Sequence, residues 1–361
     1  MKVAVVTQEL MHNYGGTLQA YAMQEVLRRL GHDPITVDYF PRMSKWYYLL
    51  TQINMLRYFL MRDRKHKFFP YPKKERRAEF AGFMNKHIVL THPVNKYTVS
   101  LLRKCRAEAI VVGSDQVWRK IFHSDREQED LFLKFARRVK IPKVAYAASF
   151  GTDKWEFSDE LTARCACLAR EFKVISTREA SGVELCRRYL GVEAVQMPDP
   201  TLLLDKEDYA GLCCDIPVTA EPFLLAYILD MDADKRQCVE QFAARMGLKV
   251  RFCTADSDAN MSVEQWLAMF RDARFVITNS FHGTVFSIIN NKDFFSIVNE
   301  KRGTDRFVSL LSHFGLNGRL LNVIHQLPED VTSLDWRQIN ATREKWRKTG
   351  IDFLESNLSR K

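Results

Sequence analysis

Short polar runs follow several apolar stretches of the sequence, and the run TNSFHGT at residues 278–284 carries the residue types best suited to chemistry. Ser280 or Asn279 can cap a helix that begins there, and Gly283 lets the backbone approach a ligand. The start of such a helix favours a bound phosphate or carboxylate. His282 would then lie beside that anion, where an imidazole donates a hydrogen bond or transfers a proton near neutral pH.

Cations follow the next predicted strand, at residues 294–298. Lys301, Arg302 and Arg306 lie around a glycine, in a position to complete an anion pocket with His282. The alternative is a solvated basic loop.

A single arginine marks another predicted junction between a strand and a helix, at residues 176–181. The planar guanidinium of Arg178 suits a carboxylate or a phosphate. The alternative is a structural pair between Arg178 and Glu179.

The first such junction contains Asn13, Tyr14, Gly15 and Gly16, ahead of a helix predicted from Thr17. Paired glycines allow a close approach of the backbone to a ligand, and the helix start offers free N–H groups. A tight turn packed against the sheet explains the same residues without a ligand. The run also lacks the G-x-G-x-x-G pattern of dinucleotide-binding proteins.

The second junction, VGSDQVW at residues 112–118, places Ser114 and Asp115 at the edge of a predicted sheet. Asp115 could bind acceptor hydroxyls or act as a general base. Capping of the following turn is an equally good reading of the same carboxylate.

These junctions require two α/β domains, each a doubly wound parallel sheet of the Rossmann-like kind. Apolar, valine-rich strands alternate with amphipathic helices, and two prolines near residues 198–200 separate a first series from a second. Ligands of such sheets bind outside the carboxyl ends of the strands, where all five runs lie. We predict a first domain at 1–198 on the acceptor side, with a helical insertion near 42–90. A second domain at 199–330 lies on the donor side, and a helical tail at 331–361 crosses back onto the first domain.

The composition excludes several classes of protein. The chain has 361 residues and a formal net charge of +10, which favours phosphates, acidic sugars or an anionic membrane, yet no nucleic-acid-binding module is recognisable. None of the eight cysteines forms a C-x-x-C pair and histidines are not clustered, so we predict no metal site. The N-terminus reads directly as a strand, which predicts a cytoplasmic protein.

The segment 42–77 combines aromatic and aliphatic residues with basic clusters. Such a segment could lie on the inner face of an anionic membrane, within reach of lipid-linked sugars. A packed helical insertion with a solvated basic face is the alternative.

Five of these stretches, in this order, resemble the polysaccharide pyruvyl transferase family. They are NYGGTLQAYA at 13–22, VGSDQVW at 112–118, STREASG at 176–182, PDPTLLL at 198–204 and SFHGTVFS at 280–287. The resemblance implies a GT-B-like pair of domains and transfer of a pyruvyl group from phosphoenolpyruvate to sugar hydroxyls, usually as a cyclic ketal. It also implies that His282 and Arg178 bind the donor, with phosphate contacts from Lys301, Arg302 and Arg306. The chain departs from the branch with Gly-Asp in the first loop, since it has Gly15-Gly16, which leaves the acceptor open.

Phosphoenolpyruvate suits these residues because it carries a carboxylate and a phosphate, and its reaction needs one acid and one base. We assign His282 to proton transfer and Asp115 to acceptance of the hydroxyl proton, with no cofactor besides the donor substrate. The alternatives are a GT-B glycosyltransferase with a nucleotide-sugar donor and a non-catalytic relative that binds sugars or anions. The residues expected to contact substrate are Asn13, Tyr14, Gly15, Gly16, Ser114, Arg178, Ser280, Gly283, Thr284, Lys301, Arg302 and Arg306.

Overall fold

The computed structural model describes residues 1–40, 78–253, 261–298 and 303–359. The segment 42–77, with its predicted membrane contact, therefore lies outside the described residues, as do Lys301 and Arg302. Of the insertion predicted near 42–90, the described part is the helix Ala78–His87 and the residues after it.

Six parallel strands form the first sheet, in the order β2-β1-β3-β4-β5-β6. The inner strands are short and apolar, and both of their faces are covered, as parallel sheets require. The strands are β1 (Lys2–Val6), β2 (Asp33–Thr36), β3 (Ala109–Val112), β4 (Lys143–Ala148), β5 (Val174–Thr177) and β6 (Val195–Gln196).

Helices follow most of these strands and pack on the two faces of the sheet. They are α1 (Tyr14–Arg29), α2 (Ala78–His87), α3 (Val99–Lys104), α4 (Asp125–Leu131), α5 (Asp159–Ala169) and α6 (Ala180–Leu185), with α7 (Lys206–Leu212) after the sheet. The prediction that the first helix starts at Thr17 is wrong. It starts at Tyr14, because the Thr17 amide already donates to the Asn13 carbonyl at 2.9 Å.

The second sheet has five parallel strands in the order β11-β10-β9-β7-β8. Its strands are β7 (Phe223–Tyr227), β8 (Lys249–Cys253), β9 (Phe275–Thr278), β10 (Asp293–Ile297) and β11 (Leu320–Leu321). The helices are α8 (Ala233–Arg245), α9 (Val263–Asp272), α10 (Phe281–Ile289) and α11 (Asp305–His313). The two sheets with their helices form an α/β fold of two Rossmann-like units.

The last helix, α12 (Trp336–Leu358), packs against the first sheet. The ring of Phe353 lies 5.9 Å from that of Tyr146 on β4. A Cβ atom at Gly350 would lie 2.4 Å from the Tyr146 hydroxyl, so the close approach of helix and sheet requires glycine there. Arg343 pairs with Asp205 at 3.1 Å, near the passage between the two sheets. The domain boundaries given above stay predictions.

The carboxyl ends of β3, β5 and β9 converge where the two units meet. On the same boundary the Tyr14 ring of α1 stacks on Trp266 of α9, with centroids 5.3 Å apart, and its hydroxyl donates to the Met261 carbonyl at 3.0 Å. One apolar core cluster includes residues of both units, so the units share a packed boundary. Among the described helices, none is both long enough and apolar enough to span a membrane.

Candidate active site

A buried aspartate, Asp199, lies at the centre of the boundary between the two units. It follows β6 and caps the short 3-10 helix Pro200–Leu203, where its Oδ1 accepts from the Thr201 amide at 3.0 Å and from the Thr201 hydroxyl at 2.7 Å. One carboxylate oxygen is thus held by the local chain, while the other faces the neighbouring junctions.

The second oxygen of Asp199 brings three predicted site residues together. Arg178 Nη1 donates to Oδ2 at 2.8 Å, Ser114 Oγ donates at 3.0 Å, and His282 Nε2 lies 3.6 Å away. The three residues follow β5, β3 and β9 respectively, so three separate junctions meet at one carboxylate. In the sequence the prolines near residues 198–200 mark only the passage between two series of elements, so sequence reasoning missed the role of Asp199.

Asp199 remains ionised in these surroundings. Burial alone would raise its pKa, but contact with His282 and the guanidinium of Arg178 holds the pKa well below its usual range. The cluster therefore contains a permanent negative charge directly between an arginine and a histidine.

Arg178 is almost fully buried and is surrounded by carboxylates. Besides Asp199, its Nη2 lies 3.7 Å from Asp115 and its Nε lies 3.5 Å from Glu179. The structural pair of Arg178 with Glu179 considered above is therefore present, as one of three ion pairs that this arginine makes. Burial would lower the pKa of Arg178, and the charges of Glu179, Asp199 and Asp115 together raise it. The guanidinium also lies over the Phe281 ring, 4.2 Å from its centroid.

Glu179 is fully buried next to this arginine, and the Ser149 hydroxyl donates to its carboxylate. Burial raises the pKa of Glu179, although Arg178 and Ser149 act against the shift. From the sequence, Glu179 is expected only in a structural pair, and its contact with Ser149 is visible only in the fold.

His282 lies within the first turn of α10, because this helix begins at Phe281. Ser280 is the N-cap, and its hydroxyl accepts from the Gly283 amide at 3.4 Å. The imidazole is buried and reaches α1 of the first unit. A Cβ atom at Gly15 would lie 1.9 Å from His282 Nδ1.

Gly283 and Thr284 are held by packing. A Cβ atom at Gly283 would lie 2.2 Å from the Thr278 hydroxyl, so glycine allows α10 to approach β9. The Thr284 hydroxyl bonds to that of Ser296 at 2.6 Å and to the Ser280 carbonyl at 3.2 Å. These contacts explain both residues structurally, and their predicted contact with substrate stays a prediction.

Asp115 is buried, and its backbone has φ of +70°, an uncommon conformation for a residue other than glycine. The Asn13 amide donates to its carboxylate at 3.4 Å, and a Cβ atom at Gly16 would lie 3.4 Å from the same group. Asn13, Gly16 and Asp115 thus lie together beside Arg178. Tyr14 faces the second unit instead, stacked on Trp266.

Two further arginines border the cluster. Arg306 is buried with its guanidinium 5.5 Å from the Phe281 centroid, and burial together with the charge of Arg178 lowers its pKa to about 10. Arg119, which sequence reasoning missed, is also buried and donates to the Gly151 carbonyl at 2.9 Å. Its place one residue beyond the VGSDQVW run was the available signal. Arg306 remains cationic at neutral pH.

Of the described residues, one group brings three metal-ligand atoms within 4.8 Å of one another: Asp234, Cys238 and His325. Cys238 Sγ lies 3.3 Å from His325 Nδ1, and Asp234 lies 3.3 Å from the other ring nitrogen. Because these contacts use opposite nitrogens of the imidazole, the arrangement is that of a hydrogen-bonded chain rather than of a converged ligand set.

Solved structures resemble this fold along its whole length. A UDP-GlcNAc 2-epimerase from Neisseria meningitidis, bound to UDP-GlcNAc, aligns with a TM-score of 0.51 at 7% identity over 99% of each chain. A UDP-N-acetylglucosamine 2-epimerase from Rickettsia bellii aligns with a TM-score of 0.38 at 12% identity over 99% of each chain. A glycosyltransferase from Streptomyces sp. SF2575 aligns with a TM-score of 0.44 at 11% identity, over 98% of this chain and 96% of the other. The architecture is that of GT-B-type transferases and epimerases.

The sequence itself provides a more specific comparison. No functionally curated protein matches it significantly. The family model for polysaccharide pyruvyl transferases matches residues 13–301. This range contains Asp199, Arg178 and His282, together with the five stretches that resemble the family. The chain therefore belongs to the polysaccharide pyruvyl transferase family.

Proposed function

We propose that this protein transfers a pyruvyl group from phosphoenolpyruvate to hydroxyl groups of a sugar, forming a cyclic ketal in surface polysaccharide biosynthesis. Family membership supports the reaction class. The observation that carries the proposal is the joint contact of Arg178 and His282 with Asp199 at the boundary of the two units. This contact places Arg178, which can bind carboxylates and phosphates, next to His282, which can transfer protons, in one buried site.

The donor carries a carboxylate and a phosphate, so its binding requires several cations. Arg178 and Arg306 both lie near the Phe281 ring at the start of α10, whose free N–H groups also favour an anion. We assign the donor to these groups, with Lys301 and Arg302 as further phosphate contacts. In this scheme Asp199 orients Arg178 and His282 and prevents the buried cations from repelling one another.

The proposed reaction begins when His282 gives a proton to the methylene carbon, which makes C2 electrophilic. The oxygen of a first sugar hydroxyl bonds to C2, and Asp115 accepts its proton. Phosphate then leaves with the electrons of its C2–O bond, and a second hydroxyl closes the ketal. The proton of one sugar hydroxyl replaces the proton that His282 gave to the methylene carbon. The proton of the other hydroxyl leaves with phosphate.

A second candidate is transfer of a sugar from a nucleotide-sugar donor. The observation that favours it is the similarity in fold to a protein whose structure contains UDP-GlcNAc. A non-catalytic relative that binds sugars or anions would use the same cluster without turnover. Competition between uridine nucleotides and phosphoenolpyruvate distinguishes the donor classes.

The test is phosphate release from phosphoenolpyruvate with a panel of galactosides, glucosides and mannosides, including lipid-linked ones. We expect release that depends on an acceptor and that His282→Ala abolishes. The solvent-exposed His325→Ala is the matched control and should retain full activity. Release from His282→Ala at the wild-type rate would refute the assigned role of this histidine, and binding of uridine nucleotides in place of phosphoenolpyruvate would favour the second candidate.

A lipid-linked acceptor and peripheral contact of 42–77 with the inner face of the membrane are part of the proposal. The excess of basic residues supports them, since an anionic surface attracts such a chain. Sedimentation with vesicles containing anionic lipid, compared with neutral vesicles, tests the contact. Equal recovery in both pellets would contradict it.

A further inference from the structure

A pocket opens next to the Asp115 junction, at the carboxyl ends of β1 and β2. Its volume is about 80 Å³, or about 430 Å³ when the open space at its mouth is included. The described residues that line it are Thr7, Gln8, Glu9, Tyr39, Tyr97, Phe122, His123, Glu127 and Leu131.

Two of the lining residues connect the pocket to the candidate active site through hydrogen bonds. The Gln8 side chain donates to the Gln116 carbonyl at 2.6 Å, and the Thr7 hydroxyl donates to the Ser114 carbonyl at 3.4 Å. Gln116 directly follows Asp115 in the chain. A molecule bound in the pocket would therefore contact Thr7 and Gln8, which hold the loop that carries Asp115, the residue assigned to the acceptor hydroxyl.

One wall of the pocket is aromatic. The Tyr39 and Tyr97 rings stack with centroids 4.6 Å apart and planes inclined by 13°. The Tyr39 hydroxyl donates to Glu127 at 3.0 Å, which fixes the ring. Phe122 is more than half exposed, at 53%. Aromatic walls with a few polar groups are typical of sites that take a small ligand with apolar faces and hydroxyl edges.

His123 gives the pocket a hydrogen-bond acceptor. Its Nε2 is buried and has no partner among the described residues, whereas the ring also bonds to the backbone of Gln116. That bond therefore uses Nδ1. Burial lowers the pKa of His123, so the ring is neutral at pH 7. With a proton on Nδ1, Nε2 can only accept, which suits a hydroxyl group.

The charged side chains among the described lining residues are carboxylates. Glu127 is ionised, because hydrogen bonds from Ser124 and Tyr39 outweigh the effect of burial and lower its pKa. Glu9 adds a second carboxylate, and none of the lining residues described is a lysine or an arginine. Lys120, whose charge acts on His123, is itself paired with Asp125 at 3.3 Å. The described lining residues thus include carboxylates and no arginine, whereas the cluster around Asp199 combines arginines with carboxylates.

We infer that this pocket binds the sugar residue that accepts the pyruvyl group, and that it selects neutral or amino sugars over acidic ones. Its carboxylates would repel a uronate or a phosphate, and His123 and Glu9 would accept hydrogen bonds from sugar hydroxyls. In this scheme the arginines near Asp199 bind the anionic donor, and the carboxylates of the pocket accept hydrogen bonds from the acceptor hydroxyls. The assignment of the bound sugar as acceptor rests on the proposed function.

The experiment measures binding without turnover. Methyl galactoside, methyl glucosaminide and methyl glucuronide are titrated into the full chain without phosphoenolpyruvate and followed by saturation-transfer NMR. We expect the first two to bind and the glucuronide to bind at least about tenfold more weakly, the loss that one unfavourable charge contact causes. Equal binding of the glucuronide, or no binding of any glycoside, would overturn the inference.

Substitutions test whether the glycosides bind in this pocket. Glu9→Gln should reduce the discrimination against the glucuronide about tenfold with little change for the galactoside. Glu221→Gln, an exposed carboxylate of the second unit paired with Lys249, should leave both unchanged. His123→Phe should weaken every glycoside without changing binding of phosphoenolpyruvate. Unchanged affinities in both pocket variants would contradict the location.

The two proposals fail differently. If glycosides bind as expected but phosphoenolpyruvate is never consumed, the pocket is a sugar site and the pyruvyl transfer is refuted. If phosphate release is fastest with an acidic acceptor, the transfer stands and the inferred selectivity is wrong.

Discussion

Gly15 of the first unit lies so close to His282 of the second that a Cβ atom at position 15 would fall 1.9 Å from Nδ1 of the imidazole. The opposite ring nitrogen lies 3.6 Å from Asp199. The histidine is thus held between a backbone surface on α1 and a carboxylate that follows β6. Because these groups belong to different elements, the position of His282 depends on how the two units pack.

Gly15→Ala should therefore displace His282. Alanine is the better helix former by about 1 kcal/mol, so a loss of activity would not come from the helix itself. A displacement of about 1 Å at a reacting group lowers turnover about a hundredfold. We expect a loss of that size in phosphate release, with circular dichroism unchanged.

Gly82→Ala is the matched control. Gly82 also lies in a helix, α2, and its new Cβ would have no atom within 4 Å. We expect activity within about threefold of the wild type, because a substitution at such an exposed position changes stability by only about 0.5 kcal/mol. If both alanine variants behave alike, the Gly15–His282 contact does not control activity.

Asp199→Asn should change how stability depends on pH. The folded-state pKa of Asp199 lies below its unfolded value of about 3.9, so its contribution is present above that pH and is lost as the pH falls further. The pKa of Glu179 is raised, so its effect on the pH dependence of stability has the opposite sign, but the wild type and the Asp199→Asn variant share that effect. Urea unfolding at pH 6 and pH 3.5 should show a large stability difference that shrinks at the lower pH.

The expected cost of Asp199→Asn at pH 6 is about 3–5 kcal/mol, the usual effect of removing one partner of a buried ion pair. Asp215→Asn, which changes a carboxylate next to an exposed cysteine, serves as a control with little effect. A difference between wild type and Asp199→Asn that grows on acidification would contradict the assigned charge state.

Arg306→Met should weaken binding of phosphoenolpyruvate about ten- to hundredfold at pH 7.5, the effect of losing a charged hydrogen-bond donor. The pKa of Arg306 is lowered to about 10, so the advantage of the wild type over the variant should disappear as the pH rises above this value. Calorimetric titration of each protein with phosphoenolpyruvate measures the loss of affinity at pH 7.5 and its disappearance at higher pH. Arg187→Met, at an exposed pair with Glu184, is the control, and equal affinities of wild type and Arg306→Met would refute the assigned role.

Gly303→Ala should disturb the boundary between the units. Gly303 has φ of +89°, and its Cβ would lie 1.8 Å from the Gly151 carbonyl, to which Arg119 also donates. Gly318→Ala has open space and is the control. We expect the first variant alone to show faster proteolysis between the two units and lower activity. Equal digestion of both variants would show that this contact does not hold the units together.

Much of the fold could be predicted from the sequence, because short valine-rich strands and amphipathic helices alternate along the chain. The start of the first helix is less accurate. Tyr14 begins α1 before the two glycines predicted to precede it, since Gly15 serves close packing against His282 rather than a turn. A glycine needed for an approach from a distant residue has the same local pattern as a glycine needed for a turn.

The junctions that carry site residues were also visible in the sequence, but the group that joins them was not. Asp199 lies between two prolines, a pattern typical of a hinge, and its partners Ser114 and His282 are distant in sequence. Arg119 was missed for a similar reason, because its burial depends on the Gly151 loop. Ion pairs between distant segments become apparent only when the fold is known.

The most direct measurement of the central claim follows labelled carbon from phosphoenolpyruvate into sugar. The donor carries the label at C2 and is incubated with the protein and the acceptor that gives the fastest phosphate release. We predict that the label appears as a ketal carbon in the purified sugar, in amounts equal to the phosphate released. Label that remains in phosphoenolpyruvate or appears only as free pyruvate, while a nucleotide sugar yields a glycoside, would contradict pyruvyl transfer.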